Sequence, residues 1–311
     1  MGTRVKEEEE RIDIQARDII LIIATQQAKM SIPKEYTLSS GYTVPSVALG
    51  CYNIPQDDTA EIVEAALERG YRHFDTAVLY ENEKEVGDGI QNWLIKNPQR
   101  SRQEIFYTTK LWNSQFGYDN AKLAIQECLN AVKSLGYIDL LLMHSPIGGK
   151  QIQLDTWKAM QEAVDQGIVK NIGVSNFGER HIEDLLNWDG LRYKPVVNQI
   201  EISPWCMREQ LANFCKQKGI FVEAYAPLTH GYKINDLGLL KISSETGKNT
   251  GQILIRWSLQ HGYIPLPKTE TISRLTGNLD VYDFELTNDQ MADIDHPEAY
   301  EPTDWECTTA P

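Results

Sequence analysis

The sequence predicts an α/β fold: a (β/α)8 TIM barrel with an N-terminal β-hairpin, then an extra helix and a tail over the barrel mouth. Two observations carry this. Between Val47 and Val281, eight short strand-like runs alternate with helical patterns. No linker, low-complexity tract or composition shift divides the chain from Met30 to Pro311. Strands separated by helical stretches imply right-handed crossovers and a parallel sheet. Eight such units in about 230 residues suit a closed barrel better than an open sheet. With 41% apolar residues in 311, a large core is available.

The chain opens with an acidic run, Lys6 to Arg11, and a short apolar block, Ile19 to Ala24. The block is far below the ~20 residues that span a bilayer. Acids precede it where a secretory signal would carry bases, and it lacks the acid-poor character of a transit peptide. Residues 1–29 are therefore expected to be a poorly ordered extension, with Met30 the start of one domain over 30–311. From Tyr36, YTLSSGYTVP alternates and turns at Ser39-Ser40-Gly41, a hairpin pattern. The eight strands are expected at Val47–Tyr52, His73–Ala77, Ile105–Leu111, Ile138–Ser145, Val169–Asn176, Val196–Ser203, Phe221–Leu228 and Tyr263–Thr269. Helical patterns occupy Thr59–Gly70, Glu83–Lys96, Asp119–Gly136, Leu154–Gly167, Glu179–Trp188, Arg208–Gly219, a paired stretch over Leu237–Gly262, and Ser273–Val281. LTNDQMADIDH then predicts an extra helix with Thr287 as N-cap. The tail from Pro297 carries Tyr300 and Trp305, aromatics able to fold over the mouth and line a pocket.

A formal net charge of −14 argues against nucleic acid or a membrane surface as partner, so any anionic ligand needs a local cluster of cations. The five cysteines are widely spaced with no CxxC, which points to reduced thiols in a cytoplasmic protein. Cys51, at a strand end, is a candidate for oxidation. No exposed heptad demands a partner, and a monomer or weak dimer is expected.

In a barrel, chemistry gathers at the C-terminal ends of the strands. Three consecutive strand ends carry Asp75 with Tyr80 in GYRHFDTAVLYENEKEVG, Lys110 in YTTKLW and His144 in LLLMHSP. A phenol is a feeble acid at neutral pH. A neighbouring ammonium favours the phenolate, and a buried ammonium in turn needs a counter-charge. Asp75 can hold Lys110, Lys110 can tune Tyr80 downward, and His144 can orient a substrate oxygen. Such a set donates a proton to a carbonyl becoming an alkoxide; with a hydride source it is a reductase. No GxGxxG follows a strand, so a dinucleotide would not bind in Rossmann fashion.

These motifs, with NIGVSNF, VVNQIE, AYAPL and LPKTETISRLTGN, together resemble the aldo-keto reductases, above all their fungal, aldose- and xylose-reductase-like branch, over about residues 32–311. The resemblance implies a barrel binding NADPH across its strand ends, with NADH as a weaker alternative, and a small-molecule carbonyl substrate such as a pentose, a small aldehyde or a keto compound. It implies Asp75, Tyr80, Lys110 and His144 as the catalytic tetrad, with Tyr80 the general acid. Ser175, Asn176 and Gln199 match the contacts to the nicotinamide carboxamide, and Tyr225 the ring on which the nicotinamide stacks. Leu228 falls in the matching cofactor segment. Lys268 and Thr269 match the pair around the 2′-phosphate, and Arg274 and Asn278 the remaining phosphate and adenine contacts.

The departures matter too. Tyr52 and Ser145 stand where many members carry Trp, so the resemblance implies a reshaped pocket walled by Tyr52, Trp112, Ser145, Tyr300 and Trp305. Glu270 replaces a common apolar residue, an acid beside the 2′-phosphate position. Thr229–Lys233 is shorter than the segment that clamps the pyrophosphate in many relatives, which implies a looser latch. Two rival readings remain. One is a regulatory subunit that binds nucleotide without turnover. The other is a metal-dependent hydrolase using His73, Asp75 and either His144 or Glu201.

Overall fold

A computed structural model of the chain describes residues 32–311; the extension expected over residues 1–29 lies outside the described residues. Strand β1 (Glu35–Thr37) pairs antiparallel with β2 (Thr43–Pro45), the expected hairpin. Its Leu38 and Val44 pack with Phe106, Val197 and Ile264, residues near the N-terminal ends of later strands. The hairpin therefore plugs the bottom of the barrel and leaves the opposite end for the site.

Eight parallel strands follow in sequential order. They are β3 (Leu49–Gly50), β4 (His73–Asp75), β5 (Phe106–Leu111), β6 (Ile138–Met143), β7 (Val169–Ser175), β8 (Val197–Glu201), β9 (Phe221–Tyr225) and β10 (Ile264–Leu266). The seam between last and first strands is tied by Ala48 N to Pro265 O (3.1 Å) and Gly50 N to Pro267 O (3.1 Å). Glycine suits position 50 because a Cβ there would stand 3.1 Å from Leu266 O across that seam. Each strand is shorter than its sequence run because the chain leaves the ladder to build the mouth. After Asp75, Thr76 N still reaches Thr108 O (2.9 Å), and Val78–Tyr80 then wind into a single 3-10 turn.

The outer ring comprises α1 (Gln56–Glu68), α2 (Glu83–Lys96), α3 (Tyr118–Ala131), α4 (Lys150–Asp165), α5 (Glu179–Leu186), α6 (Glu209–Gln217), α7 (Leu237–Thr246), α8 (Thr250–Gln260) and α9 (Ile272–Leu279). Their buried residues follow the helical period: Ile62, Val63, Ala66 and Leu67 on α1, and Val86, Ile90 and Trp93 on α2. The extra helix α10 (Asn288–Ile294) starts where expected, with Thr287 Oγ1 accepting from Gln290 N (3.2 Å). Gln290 Oε1 in turn accepts from Thr287 N (3.0 Å), completing a capping box. Among the described residues no helix is long and apolar enough to cross a membrane. All five cysteines are free and buried. Burial, then the Asp75 charge, pushes the Cys51 thiol far up, so the structure gives no support to the oxidation expected there.

The tail is fixed at two places. The buried Glu201 carboxylate, at the end of β8, accepts from Thr303 N (2.6 Å), Thr303 Oγ1 (2.6 Å) and Asp304 N (3.1 Å). Further on, Arg208 Nη2 meets Glu306 Oε2 at 2.5 Å, and Thr308 passes so close to Gly178 that a Cβ there would lie 2.2 Å from Thr308 O. Burial raises the Glu306 carboxyl, but hydrogen bonds from Thr308, Tyr300 and Arg208 outweigh it and hold it at about 2. A carboxyl depressed in the folded state contributes stability above the ordinary carboxylate range and loses it as pH falls through the folded value. Hydrogen exchange in residues 300–311 should therefore accelerate several-fold between pH about 4.5 and 2, measured relative to β5. Glu306→Gln should show the faster tail exchange already at pH 7.

Candidate active site

Lys110 is the fifth residue of β5, and the pleat turns it inward beside Asp75 at the end of β4. It is fully buried. Its ammonium donates to Asp75 Oδ1 (2.7 Å), Thr76 O (2.8 Å) and Tyr80 OH (3.3 Å), which uses all three protons. Asp75 Oδ2 accepts from Gln199 Nε2 (2.8 Å). Burial pushes the Asp75 carboxyl up, while Lys110 and Gln199 pull it back. The 3-10 turn sets the phenol of Tyr80 over the ammonium, 4.8 Å from the ring centroid. His144 follows β6; its N bonds Leu111 O (3.1 Å) and its O accepts from Asn176 Nδ2 (3.1 Å). The imidazole stands edge-on to Tyr80 (5.7 Å) and Trp112 (5.1 Å). Burial, then the Lys110 charge, keeps it well below its ordinary value, so it is a neutral ring. Its Nδ1 has no partner within the described protein.

The downward pull of Lys110 on the Tyr80 phenol expected from the sequence is reversed in the structure. Burial, followed by Asp75, Asp304, Tyr52 and Cys51, pushes the phenol well above its ordinary value. Burial is the main reason, since it disfavours the charged phenolate; the Asp75 carboxylate, which holds the ammonium at 2.7 Å against 3.3 Å for the phenol, adds to it. Tyr80 is thus fully protonated at neutral pH. Lys110 remains within hydrogen-bond reach to stabilise a phenolate as a proton leaves.

On the neighbouring strand ends, Ser175 Oγ donates to Gln199 O (2.8 Å), and Asn176 lies at a left-handed φ of 61° that Asn tolerates better than most residues. Tyr225 OH donates to Asn176 Oδ1 (3.0 Å), which fixes its ring at the wall. A cavity of about 680 Å³ runs along the mouth; its lining includes Asp75, Tyr80 and His144, then Ser175, Asn176, Gln199, Tyr225 and Leu228, then Lys268, Thr269 and Arg274. The loop carrying Leu228 is tied to the tail by Lys233 Nζ and Glu301 Oε2 (2.6 Å), and His230 approaches Asp304 at 3.8 Å. Lys268 forms an ion pair with Glu270. Asn278 is buried on α9, outside the cavity lining.

Tyr52 packs on Tyr80 (5.0 Å) and Trp305 on Trp112 (5.5 Å), making an aromatic rim. Ser145 and Tyr300 lie elsewhere. Ser145 is fully buried, its hydroxyl donating to Asn113 Oδ1 (2.5 Å) and accepting from Ile147 N (3.2 Å). Tyr300 is 59% exposed and accepts from Arg208 Nη1 (3.2 Å) at a second cavity behind the tail. His73 is fully buried; its Nε2 is 3.1 Å from Thr108 Oγ1, and burial holds it down at about 3. Glu201 is engaged by the tail. Among the described residues no group of three or more His, Cys, Asp or Glu is placed to hold a metal.

Sequence reasoning missed Thr76 O and Asp304, which only folding brings to the site, and also Glu223. That acid had a signal: it stands two residues before Tyr225 on one strand, hence on the same inward face.

The cavity thus joins a buried proton donor, Tyr80, with the cations Lys268 and Arg274, in a chain of net charge −14. Known proteins resemble the chain over most of its length. Residues 46–234 and 236–298 match the model of the Aldo/keto reductase family. An uncharacterized oxidoreductase of Saccharomyces cerevisiae is 64% identical over 281 residues, covering 90% of this chain and all of that protein. The glyoxal reductase of Bacillus subtilis is 37% identical, covering 85% of this chain and 93% of that protein. The crystal structure of a Bombyx mori aldo-keto reductase in complex with NADP is 36% identical and superposes with a TM-score of 0.77, covering 84% of this chain and 91% of that one.

Proposed function

The chain belongs to the aldo/keto reductase family and is an NAD(P)H-dependent oxidoreductase; from that premise we propose that it reduces aldehydes and ketones to alcohols with NADPH. The observation that carries the proposal is the chain Asp75–Lys110–Tyr80, closed at 2.7 and 3.3 Å, beneath a cavity that also reaches Lys268 and Arg274. The cofactor supplies the hydride. Ser175, Asn176 and Gln199 would hold the carboxamide, the ring of Tyr225 would support the nicotinamide, and Lys268, Thr269 and Arg274 would receive the adenosine phosphate. A carbonyl oxygen sits between Tyr80 OH and the neutral His144. As charge develops on that oxygen, Tyr80 gives up its proton and Lys110 steadies the phenolate. The aromatic rim of Tyr52, Trp112 and Trp305 admits short polar aldehydes and sugars as well as flatter keto compounds.

A panel of aldopentoses, small aldehydes and diketones, followed by loss of NADPH absorbance, tests this. Turnover of one class is expected. NADPH binding without oxidation by any carbonyl would favour the regulatory-subunit reading instead. Lys268→Ala should raise the Kd for NADPH about tenfold, equivalent to about 1.4 kcal/mol, and that for NADH less than twofold. An equal rise for both cofactors would remove Lys268 from the 2′-phosphate site. The effect is modest because Glu270 already shares the ammonium, which also keeps NADH usable.

A further inference from the structure

Gln199 on β8 is in register with Glu223 on β9. Its Nε2 stands 2.8 Å from Asp75 Oδ2 and 2.8 Å from Glu223 Oε2. An amide nitrogen has two protons, and both are taken by carboxyl oxygens. The amide oxygen is therefore the atom left for the cavity, where it can only accept. Glu223 is fully buried and lies off the cavity lining. Its Oε1 has no hydrogen-bond partner, with His73 Nε2 at 3.8 Å. The titratable groups that face it are His73 and Asp75 from β4 and Lys110 from β5.

We propose that Glu223 is a positioning residue for hydride transfer: as a neutral carboxyl it locks the Gln199 amide in one orientation and leaves Asp75 the sole counter-charge of Lys110. The proposal rests on the carbonyl-reductase reading, in which Gln199 faces the nicotinamide. Burial, then Asp75, raises the Glu223 carboxyl to about 8, so it carries a proton at neutral pH. Above that pH a second carboxylate appears beside Asp75. The added negative charge makes a phenolate at Tyr80 harder to form and an anionic cofactor harder to bind.

The test is the pH dependence of kcat and of the NADPH Kd, the latter from quenching of tryptophan fluorescence, between pH 6 and 9.5. Wild-type kcat should fall with a midpoint near pH 8. Glu223→Gln keeps shape and charge of the neutral form, so its midpoint should move up by at least one unit, with the pH 7 Kd changed less than threefold. Superimposable profiles would overturn the proposal, and a lowered melting temperature with an unmoved midpoint would assign Glu223 a purely structural part. Should Glu223→Gln fail to fold, calorimetry of NADPH binding to the wild type, in buffers of different ionisation heat, decides. Proton uptake between pH 8 and 9 is expected, and its absence overturns the proposal. Wild-type protein that binds NADPH but reduces no carbonyl sinks the carbonyl-reductase reading alone, because the calorimetric arm still reads Glu223.

Discussion

Tyr80→Phe is expected to lower kcat for carbonyl reduction about 10³-fold, within the range that a positioned general acid supplies. The NADPH Kd should change less than threefold. The ring that packs on Tyr52 and His144 is retained, so the fold should not suffer; only the hydroxyl 3.3 Å from Lys110 Nζ is lost. Stopped-flow oxidation of bound NADPH with excess aldehyde measures this directly, without interference from product release. Turnover within tenfold of wild type would mean that another group protonates the alkoxide. His144 also flanks that position, but its neutral ring is a poor donor.

The second large effect belongs to Lys110. Lys110→Met leaves the buried Asp75 carboxylate without its counter-ion, and breaking a buried pair from one side costs about 3–5 kcal/mol. For a domain of this size that is a loss of roughly 10 °C in Tm. The loss depends on pH with a definite sign. Burial already pushes the Asp75 carboxyl up against the pull of Lys110, and removing Lys110 raises it further. A group that binds its proton more tightly when folded loses stability as pH rises from its unfolded value through its folded one. The variant should therefore melt higher at pH 5 than at pH 8. Adding Asp75→Leu should recover most of the stability at pH 8 and none of the activity. Thermal melts and single-turnover assays on both variants separate the two roles; a single variant with a pH-independent Tm would show that Asp75 was never the partner.

Most of the barrel was legible because each element is announced locally. Alternation marked the strands, the spacing of Ile62 and Ala66 marked α1, and Thr287 announced α10 three residues before the Gln290 that completes its cap. Asp75, Lys110 and His144 were legible for the same reason: each sits at a strand's end, where position in sequence dictates position in space. Side chains whose surroundings come from distant segments were not. Ser145 looked like a pocket residue, but the turn after β5 brings Asn113 to its hydroxyl. Tyr300 looked like a rim residue, but Arg208, 92 positions earlier, draws it behind the tail. The upward direction of the Tyr80 shift was not legible because it comes mainly from burial of the hydroxyl under the folded mouth, with Asp75 second, and no spacing in the sequence reveals either.

The anchoring of the tail by Glu201 separates two parts of the site. One wall of the pocket, Trp305, hangs from a dozen terminal residues held by a carboxylate that takes no part in the proton chain. A change in that appendage would reshape the pocket wall while the Asp75–Lys110 pair, held by β4 and β5, stays in place. The pocket wall can thereby vary separately from the ion pair at its floor.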